Sequence, residues 1–273
     1  MSNQTTTTLE PFSSLGMTGV TNSGPFYVND ASIALPVGNQ IIQQSLDTGE
    51  RSFLFSSRLY ERGSRHTRIT AFSISMDGNY LALASTRHND PPIIIFYSIP
   101  TESQIISFTQ EKANSIHFAT FHRTLKLGLY LSTDPRKYRI SVIDLSNKKE
   151  IASIKCVEKY EIATFHPLDD SMILLYSPKN IGYYRIGEEF ANLLVVPNYS
   201  KFSGFVYSLN EMNTCVATSG RDILFFIDME LKHTMTITED SQITYISSFS
   251  HGFIVATENN KIILIQHIPG HKD

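Results

Sequence analysis

An apolar strand that enters a polar turn, a second apolar strand that ends in Ser or Thr, and a third apolar strand recur in this order along the chain. The copies read AFSISMDGNYLALAS (Ala71 to Ser85) then PIIIFYSI, ATFHRTLKLGLYLS (Ala119 to Ser132) then YRISVIDL, and ATFHPLDDSMILLYS (Ala163 to Ser177) then IGYYRI. Two more follow, FVYSLNEMNTCVATS (Phe205 to Ser219) then DILFFIDM, and YISSFSHGFIVAT (Tyr245 to Thr257) then KIILIQHI. The residues that close the second strands, Ser85, Ser132, Ser177, Ser219 and Thr257, lie 47, 45, 42 and 38 positions apart. A degenerate unit fits upstream as FYVND, SIALPV with Pro36 near the marker position, and NQIIQQSLDTGERSFLF, so six units are visible.

The segments IIIFYSI, MILLYS, ILFFI and IILIQHI are short, β-branched or aromatic, and bounded by Gly, Pro, Asn and Asp, which marks them as strands. Turn chemistry is clearest at Asp77-Gly78, at Gly38-Asn39 and at Leu168 to Asp170 after Pro167. Helix signals are nearly absent; Glu188 to Leu194, EEFANLL, is too short to stand alone and reads as a turn into the next strand. A period of about 40 to 45 residues with short strands predicts an all-β fold, a β-propeller of about six blades. A single blade cannot bury both its faces, and stacking neighbours around an axis solves this.

The expected organisation is a tail over residues 1–11, a propeller over 12–268 and a second tail over 269–273. The last unit supplies three strands, Ile243 to Phe249, Gly252 to Thr257 and Lys261 to Ile268. The ring is therefore either incomplete or closed by a strand near Phe12 to Val20.

Net charge is −3, from 26 acidic and 23 basic residues well mixed along the chain, so neither a nucleic-acid footprint nor a membrane-binding stripe is present. One local exception is Arg58 to Arg68, RLYERGSRHTR, with four Arg. Cys156 and Cys215 are the sole cysteines, too few for a disulfide framework, and a reducing, cytoplasmic setting is expected. The polar start MSNQTTTTLE lacks the order of a secretory signal, and no apolar run reaches the length of a spanning helix.

His122 and His166 each follow Phe in an ATFH run and lie one repeat apart, which predicts equivalent structural turns in neighbouring blades rather than one metal site. Asp144 in VIDL and Asp228 in FIDM occupy matching places and are expected to accept local hydrogen bonds. Phosphate-cradling, nucleophile-elbow and H-E-x-x-H motifs are missing, and no cofactor, metal or catalytic residue is assigned. The stretch Gly16 to Gly24 reads as an entry to the ring. With 13 Tyr and 17 Phe but no Trp, aromatics are available for both blade core and contacts.

The units resemble degenerate WD repeats, without the closing Trp or the opening Gly-His pair. The run FYVNDASIALPVGNQIIQQSLDTGERSFL, followed by ITAFSISMDGNYLALAS and PPIIIFYSI, is similar to the start of the cilia- and flagella-associated WD-repeat proteins. The matching positions are Tyr27, Val28, Asp30 and Leu35 to Asn39, and the likeness is strongest from Phe26 to Tyr97. The resemblance implies a non-enzymatic interaction scaffold of the axoneme, attached to dynein-regulatory or inner-arm components and doublet microtubule proteins. Two alternatives stand beside it: a cytoplasmic WD-repeat adaptor outside cilia, and a propeller enzyme with a dispersed active site. The longer polar segments that interrupt compact blades supply the candidate protein-binding surface: Arg58, Arg62, Arg65, Arg68, His88, Asp134, Arg136 and Tyr138.

Overall fold

The computed structural model describes residues 26–37, 40–54, 68–86, 90–123, 126–135, 137–209 and 214–266, and every regular element among them is a β-strand. The first sheet comprises β1 (Phe26–Asn29), β2 (Ser32–Val37), β3 (Gln40–Ser45) and β4 (Arg51–Phe53). The second comprises β5 (Arg68–Ile74), β6 (Tyr80–Thr86), β7 (Ile93–Ser98) and β8 (Ser103–Thr109). The third holds β9 (Ser115–Phe121), β10 (Leu127–Asp134), β11 (Lys137–Asp144) and β12 (Lys149–Cys156), and the fourth β13 (Ile162–Phe165), β14 (Met172–Tyr176), β15 (Ile181–Arg185) and β16 (Asn192–Leu194). The fifth is formed by β17 (Gly204–Tyr207), β18 (Thr214–Ser219), β19 (Asp222–Ile227) and β20 (Glu230–Thr236). The sixth has three strands, β21 (Ile243–Phe249), β22 (Gly252–Thr257) and β23 (Ile262–Gln266).

Within each sheet the strands lie in chain order and pair antiparallel, so each is an up-and-down meander. The first strands of successive sheets, β1 with β5, β5 with β9, β9 with β13 and β17 with β21, approach one another and form the inner side. This is the blade arrangement that the repeat predicts, six sheets of a WD-repeat-like β-propeller. The segment Glu188 to Leu194 resolves into a turn that leads into β16, as its shortness implied. The turn at Gly38-Asn39 and the stretch Gly16 to Gly24 lie outside the described residues, as do the strand expected at Phe12 to Val20 and the two tails.

The core lies between sheets. Alternate strand residues point to opposite faces, and the two faces of an inner blade feed two different apolar clusters. Ala34, Ile41 and Leu54 meet Phe72, Leu83 and Tyr97 between the first and second sheets. Ile94 and Phe96 meet Ile116, Tyr130 and Ile143 between the second and third. Leu129, Ile140 and Ile154 then face Phe165, Ile173 and Tyr184, and Leu174 and Ile181 face Phe205, Cys215 and Phe226. The last of the five clusters joins Val216 and Ile223 to Ile246, Phe253 and Val255. Burying one such side chain contributes about 1.5–3 kcal/mol relative to exposure, so these clusters dominate the favourable energy of the fold.

Outer strands are attached by a repeated irregularity. The pairing of the third with the fourth strand shifts register at Phe96/Tyr97, Val142/Ile143 and Phe225/Phe226 in the second, third and fifth sheets. A bulge there increases local twist, turning the outer strand away from its neighbour's plane.

Gly78 shows how tightly adjacent blades meet. Its φ is +69°, in the left-handed region, and a Cβ there would lie 2.1 Å from the Val28 carbonyl oxygen of the preceding sheet. Gly49 has nearly the same φ, +70°, with open space around it. Gly78→Ala is expected to cost about 1–3 kcal/mol, and Gly49→Ala only the conformational part of that, about 1 kcal/mol. Urea midpoints of the two variants check this, and equal losses would show that the approach of Val28 contributes nothing.

Candidate protein-interaction surface

The shared topology gives the molecule two ends. At one, each first strand turns into the second and each third into the fourth. At the other lie the second-to-third hairpins and the connections from one sheet to the next. The turn end is closely organised. Asp77 accepts from the Ser75 hydroxyl at 2.5 Å and from the Asn79 amide at 3.1 Å. Burial works against its charge, but those hydrogen bonds outweigh it and hold the carboxyl below its usual range. Asp169 repeats the device, accepting from Ser171 N and Oγ at 3.0 and 2.7 Å and from Arg185 Nη1 at 3.1 Å.

His122 and His166 occupy matching turns at this end, as expected, and each reaches the next blade. The buried His122 ring packs edge-on against Phe165, with ring centres 5.2 Å apart, and its Nε2 lies 3.2 Å from Asp170 Oδ1. His166 Nδ1 accepts from the amides of Leu168 and Asp169, and its ring lies 4.1 Å from that of Tyr207. His117 joins blades at the opposite end. Its Nε2–H donates to the Tyr160 carbonyl at 2.9 Å, which leaves Nδ1 to accept from the Thr133 hydroxyl at 3.3 Å.

Asp144 accepts from the backbone and side-chain amides of Asn147 at 2.9 and 2.6 Å, the local role foreseen for it. Asp228 instead has φ +52° beside Met229 at +64°, the paired positive values of a tight hairpin turn. Cys156 and Cys215 are both free and buried in inter-blade clusters. Burial pushes the Cys156 thiol up to about 11 and Cys215 higher still, so neither is a ready nucleophile. Among the described residues no three His, Cys, Asp or Glu gather as metal ligands, and no helix is long and apolar enough to cross a membrane. An open hollow of about 410 Å³ beside the first sheet is lined by Ser32, Gln43, Ser45, Glu50, Arg51 and Ser52, a polar surface with one acidic and one basic side chain.

Of the candidate surface residues, Arg68, Asp134 and Tyr138 are among those described, and all three lie at the hairpin-and-connection end. Arg68 opens β5 opposite Thr86 and is exposed. Asp134 closes β10 with Arg139 Nη2 3.8 Å away. Tyr138 is half-buried, opposite Cys156 and against the cluster between the third and fourth sheets, so much of its ring serves packing. Arg58, Arg62, Arg65, His88 and Arg136 lie outside the described residues.

The same end carries two exposed apolar side chains that the sequence did not single out. Val157, which follows β12, is 91% exposed, and Val195, which follows β16, is 83% exposed; these are the most exposed large apolar side chains among the described residues. Both lie on sheet-to-sheet connections, in neighbouring blades. The exposed Lys155 and Lys179 lie at this end, and a hydrogen bond from Asn180 Nδ2 to Glu158 Oε2 at 2.8 Å ties the first connection to the adjacent hairpin. In sequence, the only sign was an apolar residue beyond the last paired position of an outer strand.

Comparison with solved structures places this geometry among propellers. A chain in a crystal structure of the mitotic checkpoint complex superposes with a TM-score of 0.63 at 12% identity, covering 83% of this chain and 69% of that one. The β-propeller domain of Myceliophteria thermophila Cps50 (Swd1) superposes at 0.57, also at 12% identity, covering 75% and 69%. No protein-family model matches the chain, and no curated protein matches it. The chain is similar to these proteins in fold, and a WD-repeat-like β-propeller is the class it shares with them.

The inter-blade histidines carry a pH dependence. Burial lowers the pKa of His117 and of His122 from 6.5, with Tyr160 and Asp170 offsetting only part of the effect. Below about 6.5 the unfolded chain therefore binds protons that the folded chain resists, so stability is full above that pH and falls as pH drops through it. Melting temperature measured from pH 8 to pH 5 is expected to decline below 6.5. In a His117→Gln, His122→Gln double variant the decline should be shallower, and an unchanged slope would assign the acid sensitivity elsewhere.

Proposed function

We propose that this chain is a non-enzymatic docking module of a multiprotein assembly, contacting a protein partner through its hairpin-and-connection end. The carrying observation is the pair Val157 and Val195, strongly exposed on neighbouring connections at the end that also holds Arg68 and Asp134. Apolar side chains held on a rigid scaffold and ringed by charge supply the two parts of a specific contact: affinity from desolvation, and orientation and selectivity from the polar rim. The fold likeness to a chain of the mitotic checkpoint complex supports the reading at the level of architecture. No bound cofactor is needed for it.

A narrower version places the assembly in the axoneme, with dynein-regulatory or inner-arm components and doublet microtubule proteins as partners; it rests on the sequence resemblance between Phe26 and Tyr97. A cytoplasmic adaptor outside cilia is the broader version, and the fold comparisons favour it. Proximity labelling in a ciliated cell separates the two by the identity of the labelled set. The surface is tested in the same experiment with the variant Arg68→Glu, Val157→Asp, Val195→Asp. Recovery of the principal partner is expected to fall about tenfold or more, the scale of losing an interface anchor. A control with Met76→Asp and Leu168→Asp at the turn end should retain it. Loss in the control but not in the triple variant would move the contact to the turn end.

A further inference from the structure

The hairpin-and-connection end of the third and fourth sheets is basic, in a chain whose net charge is −3. Its described charged residues are Lys137, Arg139, Lys155, Lys159, Lys179 and Lys201 against Asp134, Glu158 and Glu161. The connection into the third sheet, residues 110–114, adds one charge of each sign, Glu111 and Lys112. The three carboxylates are largely engaged within the fold. Asp134 lies 3.8 Å from Arg139, Glu158 accepts from Asn180, and Glu161 is half-buried. Lys137, Lys155, Lys159, Lys179 and Lys201 are all exposed, and among the described residues none of them forms an ion pair.

Two of the basic side chains are even set against each other. Arg139 and Lys155 stand directly opposite in the pairing of β11 with β12, and like charges so placed weaken a sheet. This surplus of positive charge lies beside the exposed Val157, two positions beyond Lys155, and beside Val195 on the connection that also holds Lys201.

We propose that this end binds an acidic segment of a protein partner, an extended run of Asp and Glu with apolar residues among them, its apolar side chains against Val157 and Val195 and its carboxylates among the lysines. The proposal rests on the docking role argued above and gives that partner a chemistry. A surface of one sign steers an oppositely charged segment and repels basic ones, while the valines supply the desolvation that exposed charge lacks. Nucleic acid and anionic lipid are the other polyanions, and both fit less well. The unpaired cations are all lysines, point charges without the forked phosphate recognition of arginine. Nor does a tyrosine here offer an open ring on which a base could stack: Tyr160 is buried, and Tyr138, Tyr176 and Tyr199 are half-buried.

The test selects binders from a random-sequence peptide library on the purified full-length chain and measures them by fluorescence anisotropy. Selected sequences are expected to be rich in Asp and Glu with apolar residues among them, and to bind less tightly as salt rises from about 0.05 to about 0.5 M. The variant Lys155→Glu, Lys179→Glu, Lys201→Glu is expected to weaken them about tenfold or more, and arginine at the same three positions to keep them. Should the charge-reversed chain not fold, glutamine at the three positions replaces it. Neutral or basic selected sequences, no enrichment, or acidic peptides indifferent to the lysine changes overturn the proposal. Peptides lost with Val157→Asp, Val195→Asp but not with the lysine changes leave the docking end in place and strike its acidic partner, whereas indifference to both variants removes the docking end as well. Tighter binding of single-stranded RNA or of phosphatidylserine vesicles than of any selected peptide also overturns it.

Discussion

Everything in this fold depends on the fact that a four-stranded antiparallel sheet with apolar residues on both faces has no stable existence by itself. Each inner blade gains its stability from two neighbours, and the five apolar clusters are the physical form of that dependence. The central second and third strands carry most of it, since their side chains are enclosed on both sides. Outer strands such as β8 and β20 are held mainly by backbone pairing and tolerate polar sequence. Surface chemistry can accordingly vary at the rim and at the connections while the inner scaffold stays rigid.

Polar side chains complete the contacts that apolar packing begins. His117, His122 and His166 each cross from one blade to the next, through a carbonyl, a carboxylate or an aromatic ring. The equivalence of His122 and His166 reflects the repeat, but the roles differ: His117, at the opposite end, is a neutral donor and acceptor in one chain of bonds, His166 accepts two backbone amides, and His122 meets a half-solvated carboxylate. Without a tryptophan anywhere, Phe and Tyr at blade interfaces supply the large apolar areas. The fold thus retains its architecture with a different set of side chains fastening the blades.

The blades, their number and most of their turns were legible in the sequence because strand identity rests on local patterning. AFSISMDGNYLALAS shows its two strands and its Asp-Gly turn without reference to anything distant. The structural meaning of the paired ATFH runs was equally legible, because one repeat period places them in different blades. The candidate surface was less so. Tyr138 lies in a polar segment by sequence yet rests half-buried against the cluster between the third and fourth sheets, while Val157 and Val195, apolar by type, project into solvent.

The sequence by itself determined the class of this protein: an all-β repeat with blade-length period, no signature of phosphate, metal or nucleophilic chemistry, and an aromatic core without tryptophan. Only the tertiary structure decided which faces meet, which end each hairpin and connection occupies, and which apolar residues remain uncovered. The reason is physical. Strand formation and turns are encoded over a few residues, but burial depends on what another blade, some forty residues away in the chain, brings to the same face.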